Sequence, residues 1–213
     1  MASGSGNPEL AGLVLAGGRS VRMGEDKGSL VWGTSAVPQV RVAFDHLSSV
    51  CTRAYVSIRE SQLDSGSYAG LPTIVDSKPD LGPAGGLLTA FDFDASVAWL
   101  VVAVDMPFVT AGLLRNLIAQ RQPGHIATVH RHADGTIEPL CAIWEPPAHA
   151  AIRKELELGR GSLRAVAQTG NAAVAELPEP TRLRNANTPA ERSDLQQGIS
   201  AEEEPSTDGP VQR

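Results

Sequence analysis

A chain of 213 residues, 42% hydrophobic and 20% charged, holds enough apolar material for one domain with a sizeable core, which excludes general disorder of its body. Its formal net charge of −6 argues against a nucleic-acid binder working through bulk positive charge, although a local basic cluster can still hold a small anion. The two cysteines, Cys51 and Cys141, stand far apart, which argues against a disulfide framework or a paired-cysteine zinc site and suits a reducing cytoplasm.

Residues 1–10 begin Met1-Ala-Ser-Gly-Ser-Gly, without the basic region or apolar core of a signal peptide, and are expected to be disordered. Leu13, Val14, Leu15 and Ala16 form a short apolar run, as expected of a strand buried on both faces. From Val37 to about Val50, Val40, Phe44 and Leu47 recur at helical spacing. Ala54 to Ile58 reads as a second strand, and Ser61 to Gly70 as a polar loop. Thr73, Ile74 and Val75 make a short strand that ends on Asp76, and the segment from Gly82 to Gly86 runs into a helix through about Phe91. Val97 to Val104 is the most apolar stretch; it is too short to span a bilayer and reads as a central strand that stops on Asp105. Thr110 then caps a helix to about Gln120.

The second half changes style. Ile126 to His130 and Ile137 to Trp144 are strand-like about an Ala133-Asp134-Gly135 turn, and Pro139 places the second of them at an edge or a bulge. Pro146-Pro147 opens a helix to about Leu158, another short helix follows Gly161-Ser162, and Ala172 to Leu177 is the last strand. Thr188 and Pro189 start a final helix, and from Gly198 the acidic, proline-bearing chain reads as a disordered tail. The expected division is therefore 1–10, a single domain over 11–197, and a tail over 198–213. Strands alternating with helices imply crossover units and a mostly parallel sheet, whose carboxyl-end loops would gather Gly17, Asp76 and Asp105 at one edge.

Chemistry concentrates after the first strand. Gly17-Gly18 lets the backbone turn and approach a ligand, and Arg19, Arg22 and Lys27 follow, a combination that suits a polyphosphate. The dinucleotide fingerprint and the Walker A loop do not match, because the glycines are adjacent and Gly24 precedes Glu25. A strand-to-helix turn with solvated cations is the plain alternative. A carboxylate at the end of an apolar strand, as at Asp105, is expensive to bury; it serves either as a cap or strand-end acceptor, or as a hard-oxygen ligand for Mg²⁺. The scattered histidines offer no zinc spacing.

The run Leu-Ala-Gly-Gly-x-Ser-x-Arg-Met-Gly-x-Asp-Lys, Leu15 to Lys27, resembles the signature of the molybdenum cofactor guanylyltransferases, within the nucleotidyltransferase superfamily. The resemblance extends in order through five segments between Leu13 and Leu195. It implies a three-layer α/β sandwich with a mostly parallel, Rossmann-like sheet of the nucleotidyltransferase type. It also implies that Leu15, Ala16, Gly17, Gly18, Arg19, Lys27, Ser57, Asp76, Gly82, Pro83, Gly86 and Asp105 contact the nucleotide. Lys27, Arg22 and Asp105 are the implied catalytic residues, with Mg²⁺ on Asp105 and on Asn187. Glu138, Pro139, Arg160, Ser162, Arg164, Asn185 and Asn187 are implied on the pterin side. The family usually has Asn where this chain has Ser57, a departure at one nucleotide contact.

The activity so implied is transfer of GMP from GTP to molybdopterin, with or without bound molybdenum, releasing pyrophosphate. A cytidylyltransferase for the same cofactor, another small-molecule nucleotidyltransferase, and a non-catalytic molybdopterin carrier are the alternatives; the Gly17-Gly18 pair resembles guanine-using members, and retention of Lys27 and Asp105 counts against the carrier. Expected partners are GTP, molybdopterin and molybdoenzyme-specific chaperones. No nucleic acid or membrane is expected, and the chain is expected to act as a cytoplasmic monomer.

Overall fold

The computed structural model describes residues 6–18, 26–32, 36–77, 80–132, 134–177 and 183–184. Its elements run β1 (Leu10–Leu15), α1 (Gln39–Ser48), β2 (Arg53–Ile58), β3 (Thr73–Val75), α2 (Gly82–Phe93), β4 (Ala98–Ala103), α3 (Ala111–Ala119), β5 (Ala127–Arg131), β6 (Ile137–Trp144), α4 (Ala148–Glu157), α5 (Leu163–Thr169) and β7 (Ala173–Ala175). The strands form one seven-stranded sheet in the order β3-β2-β1-β4-β6-β5-β7. Only β6 runs against the others, so the sheet is mostly parallel, as expected.

Burial on both faces explains the apolar runs. In β4, Ala98, Leu100 and Val102 face α1 and α3, while Trp99 and Val101 face α2, α4 and α5, and all are buried. β1 divides likewise, Val14 toward the first helix layer and Ala11, Leu13 and Leu15 toward the second. Helices on both faces of the sheet make the three-layer sandwich. Thr110 caps α3 as its sequence position predicts, its hydroxyl accepting from the Leu113 N–H at 3.3 Å.

Two local expectations change, and the edge-or-bulge choice at Pro139 is decided. β1 starts at Leu10, and the Glu9 carbonyl accepts from the Ala98 N–H at 2.8 Å, so strand pairing orders the chain earlier than its polar composition suggests. The 61–70 loop is built on two single 3-10 turns, Glu60–Gln62 and Gly66–Tyr68, and buries Gln62 and Tyr68. Pro139 lies in an interior strand at a bulge, where the β5 register passes from Val129 opposite Ala142 to His130 opposite Glu138. The expected final helix and acidic tail lie outside the described residues.

At the opposite end of the strands from the β4 carboxyl end, where the interior strand β6 stops, Glu145 is fully buried and accepts from Arg121 through both oxygens, at 2.7 and 2.9 Å. Removing one partner of such a pair strands a buried charge, whereas replacing both is close to neutral. Arg121→Leu should therefore lower unfolding free energy by about 3–5 kcal/mol in urea titration, and adding Glu145→Leu should restore most of it.

Candidate active site

Strand order reverses between β1 and β4: β2 and β3 extend the sheet on one side of β1, and the chain then crosses to the other side. A cleft opens at the carboxyl ends of the strands beside such a switch point. It measures about 560 Å³ including its open mouth. Leu15, Ala16, Gly17 and Gly18 line it from the end of β1, Ser57 from β2, Asp76 from just beyond β3, and Ala103, Val104 and Asp105 from the end of β4. Gly82, Pro83 and Gly86 enter from the first turns of α2, Lys27 from a 3-10 turn, and Leu140 from β6.

Asp76 fixes the shape of one wall. Its Oδ1 accepts from the Ser57 hydroxyl at 2.6 Å. A Cβ on Gly17 would lie 2.3 Å from Asp76 Oδ2, and one on Gly86 would lie 2.5 Å from Ser57 Oγ and 3.0 Å from Leu15 Cδ2. Both glycines are thus demanded by close approach. Burial raises the Asp76 carboxyl above the usual aspartate range, while the Ser57 hydrogen bond and the Arg59 charge act in the opposite direction.

The other wall carries charge. Lys27 Nζ donates to Asp105 Oδ2 at 3.0 Å, joining residues 78 positions apart, with side chains 21% and 19% exposed. A partly exposed pair of this kind contributes about 1 kcal/mol or less to stability, so its placement in the cleft is not explained by folding. The donor chemistry also fits Mg²⁺: among the described residues Asp105 Oδ1 carries no hydrogen bond, and one carboxylate completed by phosphate oxygens and water is a usual Mg²⁺ set. No cluster of three metal-binding side chains occurs among the described residues.

The remaining sequence candidates stand apart from the cleft lining. Glu138 turns inward at the bulge, its carboxylate accepting from the Leu140 N–H at 2.8 Å and paired with His132 at 3.2 Å; the neighbouring Leu140 reaches the cleft instead. The Pro139 carbonyl accepts from the Trp144 indole at 3.1 Å. Arg160 pairs with Glu155 through two 2.7 Å bonds, Ser162 caps α5, and Arg164 donates to the Ile137 carbonyl at 3.2 Å. Gly161, between them, abuts the Leu81 carbonyl and so stands beside the Gly82 rim. Arg19, Arg22, Asn185 and Asn187 lie outside the described residues.

Sequence reasoning missed a polar group behind the wall. Asp26 caps the Lys27 turn, accepting from the Gly28 N–H at 3.0 Å, and also accepts from Tyr68 and Gln62. Burial and the Asp26 charge push the Tyr68 phenol up, which keeps it a donor. Asp26 stands inside the signature, but Gln62 and Tyr68 sit in a polar loop with no local signal. Overpacking a tight contact typically costs ~1–3 kcal/mol, so Gly86→Ala should lower the urea midpoint accordingly by pressing α2 away from Ser57.

Comparison with known proteins agrees with this geometry. Residues 12–174 match the family model of the MobA-like NTP transferase domain. The chain is 32% identical over 181 residues to the molybdenum cofactor biosynthesis bifunctional protein of Synechocystis sp.; the alignment covers 84% of this chain and 52% of that protein, so the chain spans about half of that relative. It is 32% identical over 194 residues to the molybdenum cofactor guanylyltransferase of Xanthomonas euvesicatoria, covering 86% and 93% of the two chains. The crystal structure of molybdopterin-guanine dinucleotide biosynthesis protein A from Archaeoglobus fulgidus has the same fold, with a TM-score of 0.75 at 20% identity over 90% of this chain and 99% of that one. With the glycine bend, Lys27, Asp76 and Asp105 all inside the matched segment, this chain belongs to the family of MobA-like NTP transferase domains.

Proposed function

We propose that this protein transfers GMP from GTP to molybdopterin, with or without molybdenum, and releases pyrophosphate. The observation that carries this proposal is the convergence of Gly17, Lys27, Asp76, Gly86 and Asp105 on one cleft from separate strand ends. In the proposed reaction the terminal phosphate of the pterin attacks the α-phosphorus of GTP. A new P–O–P linkage forms, the bond to the β-phosphate breaks, and pyrophosphate carries away the electron pair. Because the attacking oxygen is already anionic, catalysis reduces to positioning and charge neutralisation, with no dedicated base.

The cleft lining supports the roles of the residues that stand in it, and the family resemblance supplies the others. Backbone N–H groups at Gly17 and Gly18 hold phosphate oxygens, and Lys27 offsets charge on the triphosphate and the leaving group. Arg22 of the signature is assigned the same work. Asp76 accepts hydrogen bonds from the nucleoside end, and Gly82, Pro83 and Gly86 let α2 approach it. Asp105, with Asn187 on the strength of the family resemblance, would hold Mg²⁺, which neutralises phosphate oxygens when bound. The pterin is assigned to the Leu140 side, beyond β4, and the family resemblance assigns to it Glu138, Pro139, Arg160, Ser162, Arg164, Asn185 and Asn187. A monomer acting in the cytoplasm and handing its product to molybdoenzyme chaperones completes the proposal; no helix among the described residues is long and apolar enough to cross a membrane.

Lys27→Ala and Asp105→Ala should each lower turnover by about 10²–10³-fold while leaving the urea midpoint nearly unchanged, since one oriented charge is lost from the site. Near-normal turnover in either variant rejects the assignment. GTP with Mg²⁺ should raise the melting temperature of the wild-type protein more than CTP or ATP does, and pyrophosphate release from CTP alone would identify a cytidylyltransferase. Removing the Ser57 donor leaves the Asp76 carboxylate less stabilised, so its proton is held to still higher pH. The acidic limb of the pH–rate profile should accordingly move upward in Ser57→Ala, measured as pyrophosphate release across pH.

A further inference from the structure

The glycine bend and the Lys27 turn are held together from behind by one side chain. Gln62, 4% exposed, has two N–H donors on Nε2 that share three acceptors, the Ala16 carbonyl at 3.2 Å, Asp26 Oδ2 at 3.0 Å and the Tyr68 hydroxyl at 2.9 Å. The first of these acceptors belongs to the residue before Gly17, and the second to the residue before Lys27. The Tyr68 hydroxyl donates to the Asp26 carboxylate, at 2.9 and 2.8 Å from its two oxygens. Gln62 itself is fixed to the end of β2, because its Oε1 accepts from the Arg59 N–H at 2.9 Å and from Arg59 Nε at 3.4 Å.

A single 3-10 turn needs much less than this. One cap bond, from the Gly28 N–H to Asp26, satisfies its first donor. The further bonds place Asp26 in a nearly closed polar network that also includes the chain entering the bend. Buried polar networks of this kind add little net stability compared with apolar filling, but they specify one geometry. Lys27 is the group that requires one. Its long, flexible side chain loses rotamer freedom to meet Asp105 across the cleft, so the position of its stem decides where its charge falls.

We propose that Gln62 is a positioning residue for the transfer reaction: it locks Ala16 to Asp26 and thereby sets where Lys27 meets the triphosphate. This rests on the guanylyl-transfer function proposed above. The test is a double-mutant cycle in the full chain, with kcat/KM read from pyrophosphate release. Gln62→Met keeps the shape and removes the donors, and in the wild-type background it should lower kcat/KM by about 10–100-fold, the scale of a misplacement near 1 Å. In the Lys27→Ala background the same change should have almost no further effect, because the two residues act as one unit. Equal losses in both backgrounds overturn the proposal, since a purely structural role is blind to Lys27.

A second measurement needs no substrate. Under limiting acetic anhydride, at a temperature where circular dichroism shows native protein, the acetylation of Lys27 relative to exposed Lys154 should rise several-fold in Gln62→Met. An unchanged ratio overturns the proposal. If Gln62→Met does not fold, Tyr68→Phe, which loses one hydroxyl from the same network, carries both measurements with the same expected directions. Wild-type protein that transfers no GMP would instead overturn the proposed function, and the labelling would still decide the role of Gln62.

Discussion

The hydrogen-bonded Asp76–Ser57 pair leaves no room for a side chain at residue 17, where Asp76 Oδ2 stands, or at residue 86, where Ser57 Oγ stands. That single fit ties four elements together. β3 delivers the aspartate, β2 supplies the hydroxyl that steadies it, β1 ends in the bare backbone beside it, and α2 packs on that hydroxyl through a glycine. Because both neighbours lack side chains, the backbone on either side of the carboxylate stays open to a ligand. The cost is a carboxylate in a half-buried site, offset by one short hydrogen bond and a nearby guanidinium.

The sheet carries an ion pair at each end of its strands, and the two obey different physics. Arg121–Glu145 has side chains 11% and 0% exposed and two parallel bonds, so neither charge can leave without stranding the other. Lys27–Asp105 is about a fifth exposed on both sides and makes one bond, so water and anions can compete for it. The first holds the α3 end against the strand layer. The second couples a loop cation to a strand-end acid in the place where a triphosphate would bring negative charge and a need for positive charge.

How much of this could be read in the residues depended on range. β4 announces itself because a strand covered on both faces must be apolar throughout, and the turn at Asp134-Gly135 because few residues make such a bend. The cleft was legible for a related reason: most of the residues that line it follow strand ends, and strand ends are marked by where apolar runs stop. Gln62 and Tyr68 were not legible, since their partners lie 36–46 positions away and a polar loop looks alike whether or not its amide is buried. The β6 bulge was half legible. Pro139 signalled a break in pairing, but the turning of Glu138 inward and Leu140 toward the cleft follows from a register that local residue types do not encode. For Arg160 and Ser162 the nearby partners, Glu155 and the α5 N–H groups, are satisfied first, as cap and ion-pair propensities would have it.

Both outermost strands of the sheet, β3 and β7, are three residues long. Each presents a half-exposed valine, Val75 at 37% and Val174 at 46%, so the borders are not defended by charge. Brevity does that work: so short a border offers a stray extended chain too few amide partners to compensate for the freedom lost in docking. Against recruitment into cross-strand aggregates, this sheet is protected by where its ladder stops rather than by what decorates it.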